Sequence, residues 1–147
     1  MLWLRQTDPF VITGEIFIFD IIAHALIDSG STHSQASLTF VRRLGRPVDQ
    51  MSTPFGATLP SGEVMYSDKI LRAYPIVVDD RELFAYLIVL DMNDYEIILG
   101  MDWLSKYCAK IDCKRKIVKF YPPDADQFIL VGTQSKEKFP LISAMKA

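Results

Sequence analysis

The stretch His24–Ser34, HALIDSGSTHS, runs three apolar residues, Ala25, Leu26 and Ile27, straight into an acid, Asp28. Hydroxyls follow at Ser29, Ser31, Thr32 and Ser34, with Gly30 set among them. An aspartate at a strand end commonly caps the next turn through its side-chain oxygen, and a glycine beside it supplies unusual backbone angles. Here the carboxylate follows an apolar run, so it lies near apolar surroundings, where it must be paired, hydrogen-bonded or protonated. No lysine or arginine occurs in the ten residues before it. The hydroxyls, and the backbone N–H groups that Gly30 lets approach, can orient a carboxylate without neutralising it. That suits an acid used in chemistry better than one tied into a salt bridge.

Outward from this corner the chain reads as strand after strand. Phe10–Phe19 and Ile21–Ile27 form an antiparallel pair turning near Asp20, with Gly14 marking a bulge or close approach. SQASLTFVRRLG predicts a helix over Gln35–Leu44, capped by Ser34 and stopped by Gly45. ATLPSGEVMY is a hairpin turning at Pro60-Ser61-Gly62, and AYPIVVDDRELFAYLIVL is another, turning at Asp79-Asp80. Phe84–Leu90 is apolar almost throughout, which predicts burial on both faces. YEIILGMDWLSKY reads as a short strand, then Gly100, then a short helix. CAKIDCKRKIVKFY reads as a hairpin turning at Lys114-Arg115, and a strand is expected at Phe128–Val131. About eight strands at this spacing, with two short helices, predict an all-β barrel or sandwich. The chain divides into a lead-in over 1–9, a domain over 10–121 and a C-terminal extension or linker over 122–147. HALIDSG and YEIILGMDW echo one another, as two units related by a local two-fold would.

Composition narrows the function classes. Half of the 147 residues are hydrophobic and 23% are charged, a balance that builds a core. The net charge of −2 gives no basic field for nucleic acid. The basic run KRKIVK, Lys114–Lys119, reads as a solvated hairpin protecting an edge strand. No apolar run reaches the ~18 residues of a membrane span, and MLWLRQTDPF lacks the order of a secretory signal, so a cytoplasmic setting is expected. Cys108 and Cys113 read as buried free thiols, and two histidines remote from both cysteines give no metal set. His33, His24 and Trp103 read as a helix-start, a strand-face and a core residue; Met92 and Met101 read as gap-fillers. A triad of Ser31, His33 and Asp28 is disfavoured, because neighbours along one turn rarely converge.

One carboxylate activates water poorly. Two carboxylates about 3 Å apart cannot both ionise, so one keeps a proton while the other acts as base. The chain has one Asp-Ser-Gly, and Asp102 falls at the start of a helix. A symmetric homodimer would bring two copies of Asp28 together across its axis.

The ordered set ALIDSGSTHS, LPSGEV and EIILGMDWLSKYCAKIDCKRKIVKF resembles the aspartic protease of gypsy-type LTR retrotransposons, within the retropepsins, over roughly Phe10–Phe120. The tail FPLISAMKA also resembles the segment downstream of this protease in such polyproteins. The resemblance implies a retropepsin-like β-fold active as a symmetric homodimer, with no metal or cofactor and a peptide or polyprotein substrate. Nucleic acid and membrane are not implied as partners, and the setting is cytoplasmic, retroelement particles included. Asp28 matches the catalytic aspartate. Ser29 matches the hydroxyl residue bonding across the dimer, and Gly30 and Ser31 complete the active-site loop. Pro60, Ser61 and Gly62 match the flap. Ile98, Leu99 and Gly100 match the unit packed behind the loop, while Ala25, Ile27, Val64 and Ile98 are candidate pocket or underlying core positions. The alternative is a catalytically silent dimer used for scaffolding, against which the intact Asp-Ser-Gly argues.

Overall fold

The computed structural model describes residues 12–133. The lead-in, the first residues of the expected opening strand (Phe10 and Val11), and the FPLISAMKA tail lie outside the described residues. β1 (Ile12–Ile18) and β2 (Ile21–Ile27) pair antiparallel from Ile12↔Ile27 to Ile18↔Ile21. Phe19 and Asp20 make their two-residue turn with positive φ, 48° and 65°, the hand that matches strand twist. Gly14 faces Ala25 in unbroken register, so the expected bulge is absent.

Next come β3 (Gln35–Ser37), α1 (Leu38–Leu44), β4 (Asp49–Thr58), β5 (Val64–Val78) and β6 (Arg81–Leu90). β7 (Ile97–Leu99), α2 (Met101–Lys106), β8 (Ala109–Asp112), β9 (Ile117–Phe120) and β10 (Phe128–Val131) complete the described chain. Seven strands form one sheet in the order β1-β2-β7-β3-β6-β5-β4, and a further pairing, Phe17↔Val77, joins β1 to β5 and curls it into a barrel. β10, β9 and β8 form a second, small sheet. The mostly-β barrel with few short helices is the fold class expected.

β2 and β7 run parallel at the centre, with Ala25↔Ile97, Leu26↔Ile98 and Ile27↔Leu99 in register. Ala25–Ile27 and Ile97–Leu99 are buried throughout, as strands covered on both faces must be. The apolar residues of HALIDSG and YEIILGMDW thus pair with one another. The larger core cluster gathers Ile16, Leu87, Ile97, Phe40, Trp103 and Phe120. Trp103 Nε1 donates to the Leu83 carbonyl (3.2 Å), and its ring meets Phe120 edge-on. Phe120 stacks on Phe128 with centroids 4.8 Å apart, so β10 closes the same core.

Several local expectations are corrected. The helix begins at Leu38 with Ser37, not Ser34, as its cap; Ser37 Oγ accepts the Phe40 N–H (3.1 Å). Gln35–Ser37 is instead a strand between β7 and β6. The stop at Gly45 forms as expected, at φ 65°. VMY and AYPIVV are one strand, β5, whose register against β6 shifts between Leu71 and Tyr74, with Ala73 at φ 53°. Phe84 and Tyr86 are 41% and 49% exposed, so β6 is buried on both faces only from Leu87 to Leu90. Met101 is exposed while Met92 is buried, and neither free cysteine is buried, because β8 and its turn lie at the surface. Among the described residues no helix is long and apolar enough to cross a membrane.

Candidate active site

Asp28 follows β2 directly. Its N–H donates to the Leu99 carbonyl (3.0 Å), carrying the parallel ladder one residue past the strand. Its carbonyl accepts the Ser31 N–H (3.1 Å), which closes a turn. The carboxylate Oδ1 accepts the Gly30 N–H (3.0 Å). A Cβ on Gly30 would stand 3.2 Å from that oxygen, so the missing side chain keeps the approach open. Asp28 is half-buried, and no ion pair among the described residues includes it. The carboxylate is thus oriented by a dipole and partly open to solvent. Ser29 is exposed and makes no side-chain hydrogen bond among the described residues; Ser31 is buried, its Oγ donating to the His33 carbonyl (2.9 Å).

Gly100 packs behind this loop. An added Cβ would meet the Ser31 carbonyl oxygen at 2.6 Å and His33 backbone atoms at 3.1 Å. Met101 and Asp102 donate their N–H groups to the Ser31 and Thr32 carbonyls (2.8 and 3.2 Å). Ser34 ties the layers together. Fully buried, its Oγ accepts the Gly100 N–H (3.0 Å) and donates to Asp102 Oδ1 (2.7 Å), while its N–H reaches Oδ2 (3.2 Å). Asp102 Oδ1 also accepts the Trp103 N–H (2.8 Å). Ser34→Ala removes an acceptor from a buried N–H that water cannot serve. We expect a loss of about 1–3 kcal/mol in urea unfolding, and a shift under about 0.5 kcal/mol, the size of an ordinary surface change, would refute this bracing role.

Pro60, Ser61 and Gly62 form the tip of the β4–β5 hairpin. Gly62 donates its N–H to the Leu59 carbonyl and Leu59 donates to Glu63, both at 2.8 Å, with Gly62 at φ +94°. This is a three-residue loop with its glycine where a side chain would be strained. Val64 and Tyr66 beyond the tip are 50% and 74% exposed. The hairpin touches the active-site loop through the tip-side end of β4, Phe55 to Thr58. Gln35 Nε2 donates to the Thr58 carbonyl (3.4 Å), and the rings of His33 and Phe55 meet edge-on at 4.5 Å. Ile98, Ala57 and Met92 belong to a second apolar cluster with Leu26, beside which Tyr95 packs. Burial, with Asp94 and then Asp28 nearby, pushes the Tyr95 phenol above its ordinary value. Burial alone would raise the Glu96 carboxyl, but the His24 N–H (2.8 Å) and Arg43 guanidinium (2.6 Å) outweigh it and hold it below its ordinary value.

The structure therefore gathers Asp28, Ser29, Gly30 and Ser31 with Ile98, Leu99 and Gly100. Of the candidate pocket or core positions, Ala25, Ile27 and Ile98 are buried and Val64 is exposed. Ser34, Gln35, Phe55 and Tyr95 were not legible as site residues. The hydroxyl of Ser34 was visible as a possible cap, while the others are placed only by pairing between distant strands.

Residues 4–126 match the family described as retroviral aspartyl protease. Over 97 residues the chain is 29% identical to DNA damage-inducible protein 1 of Eremothecium gossypii, covering 65% of this chain and 20% of that protein. The chain thus spans about a fifth of this curated relative's length. The structure resembles the retroviral protease-like domain of Ddi1 from Leishmania major, with a TM-score of 0.67, 16% identity and coverage of 86% and 97% of the two chains. It also resembles EIAV protease complexed with the inhibitor HBY-793, with a TM-score of 0.56, 22% identity and coverage of 74% and 99%. These likenesses bear on the barrel.

Proposed function

Because the chain belongs to the retroviral aspartyl protease family, we propose that it is an aspartic endopeptidase whose active site is completed by a second copy of itself. The observation that carries this reading is Asp28: a half-buried carboxylate at a strand end, oriented by the Gly30 N–H and held in no ion pair among the described residues. Two such groups facing across a two-fold axis share one proton, the behaviour for which aspartic protease dyads are known. The ionised Asp28 takes a proton from a water as its oxygen attacks the scissile carbonyl. The protonated Asp28 of the other copy donates to the carbonyl oxygen, and a proton then reaches the leaving amine. In this reading exposed Ser29 bonds across the interface, and the hairpin carrying Pro60, Ser61 and Gly62 closes over an extended peptide, excluding water. The buried Ile98-Leu99-Gly100 strand and Ser34 hold the loop in place.

A retroelement polyprotein as the substrate, and a cytoplasmic or particle-borne setting, rest on the resemblance of the ordered motifs to gypsy-type elements. Shared assembly has a direct test. Asp28→Asn chains in tenfold excess should capture the parent chains in mixed pairs with one carboxylate each, lowering peptide cleavage about tenfold at constant parent concentration. Cleavage unchanged after full subunit exchange would show that one chain suffices.

A further inference from the structure

On the flank of the barrel, away from Asp28, a groove of about 310 Å³ runs between β1, the β5–β6 turn and β10. Ile22, which faces Phe17 across the β1–β2 ladder, precedes Asp28 by six residues, about 20 Å along a strand. Phe17, Ile129 and Val131 line the groove and Ile22 adjoins it, and all four are exposed. One wall is a free sheet edge, because β10 pairs with β9 alone. The Gly132 N–H turns to the Lys116 carbonyl just before β9 (2.7 Å), and the Thr133 N–H turns the other way, to the Thr13 carbonyl of β1 (2.6 Å). Donors alternate in direction along a strand, so Ile129 and Val131 aim their N–H groups as Thr133 does, toward the groove. The rim is acidic. Glu15, Asp79 and Asp80 are exposed and belong to no ion pair among the described residues, and no lysine or arginine lines the groove. Arg81, next to Asp80 in sequence, is held elsewhere: its guanidinium lies over the Phe128 ring and donates to the Asp126 carbonyl (3.1 Å).

We propose that this groove docks an extended segment of a partner protein that combines apolar residues with lysine or arginine and adds a strand to the free edge of β10. Each part of that description answers a feature of the groove. The outward N–H groups of an edge strand select an extended backbone. Phe17, Ile129 and Val131 give an apolar floor, with Ile129 and Val131 at the two-residue spacing that a strand presents on one face. The carboxylates of Glu15, Asp79 and Asp80 attract cationic side chains and repel an acidic segment. A two-fold contact between copies through this groove would set the same carboxylates against one another. The groove lies apart from the active-site loop, so the inference stands whether or not the chain cleaves peptides.

The probe is a fluorescein-labelled peptide of alternating valine and lysine, titrated into the full chain by anisotropy beside versions with serine or glutamate in place of lysine. The lysine peptide should bind about tenfold more tightly than the serine peptide, and the glutamate peptide more weakly still. Its binding should slow hydrogen exchange at the Ile129 and Val131 amides and leave the Asp28–Ser31 loop unchanged. Glu15→Gln with Asp79→Asn and Asp80→Asn should erase the advantage of lysine over serine. Asparagine tolerates the positive φ of both turn positions, 51° and 61°. Ile129→Pro removes one outward donor, which an edge strand tolerates, and should abolish the protection. The carboxylate variant keeps the test decisive where the proline variant does not fold. Equal binding of the lysine and glutamate peptides, protection confined to the active-site loop, or no binding below about 1 mM would overturn the proposal. Slow exchange at Ile129 and Val131 without peptide would overturn it too: dependent on protein concentration it assigns the groove to a second copy, and independent of concentration to the chain's own ends.

Discussion

Asp28→Asn should abolish the proposed peptide cleavage while leaving the fold intact: kcat/KM should fall by at least about 10³-fold, within the range that a lost acid–base group accounts for. The structure makes this a clean substitution. The asparagine carbonyl can still accept the Gly30 N–H that Asp28 Oδ1 accepts at 3.0 Å, and the Asp28 N–H to the Leu99 carbonyl is a backbone bond untouched by the change. The side chain is half-buried and forms no ion pair among the described residues, so no opposite charge is stranded. Unfolding should shift by no more than about 0.5 kcal/mol, as for a surface change. What the substitution removes, on the proposed mechanism, is the ability to take a proton from water. Cleavage within about tenfold of the parent would remove Asp28 from the chemistry, since positioning contacts alone would then account for the rate. A collapse of stability alongside the lost activity would instead assign Asp28 a structural role.

The corner was legible because its signals are local. Ala25-Leu26-Ile27 reads as a buried strand, Asp28-Ser29-Gly30 as a turn, and Pro60-Ser61-Gly62 as a hairpin tip, each within a few residues. The turns near Asp20 and at Asp79-Asp80 were placed from the apolar runs around them, although the first strand stops at Ile18 and Phe19 joins Asp20 in its turn at positive φ. What escaped notice is non-local. Gln35-Ala36-Ser37 has three residues and no alternation, and it is a strand only because β6 and β7 supply partners more than fifty residues away along the chain. That same pairing moves the helix cap from Ser34 to Ser37 and frees Ser34 to hold Asp102 and Gly100. Phe84 and Tyr86 misled in the other direction, since apolar residues on an exposed face look like core until the layers are known.

Gly100→Ala should be the most damaging small substitution in the chain's active-site region, and the reason is space rather than backbone angle. Gly100 has φ −102° and ψ −169°, which any residue adopts. Its added methyl would stand 2.6 Å from the Ser31 carbonyl oxygen and 3.1 Å from two His33 backbone atoms, none of which is a flexible side-chain tip. Those atoms belong to the loop that positions Asp28, and they are fixed by the Met101 and Asp102 N–H bonds to Ser31 and Thr32. Relief therefore requires the loop to separate from β7, which also loosens the Gly100 N–H to Ser34 Oγ. The cost should reach or exceed about 3 kcal/mol, the upper end of overpacking, with cleavage lost at the same time. Gly45→Ala is the matched contrast. Gly45 sits at φ +65° with nothing within 4 Å of an added Cβ, so it incurs only the backbone term of about 1–2 kcal/mol and leaves the loop untouched. Urea unfolding of both variants separates the two causes: equal losses would mean that the loop yields freely to Gly100, and the close packing behind Asp28 would not be what holds it.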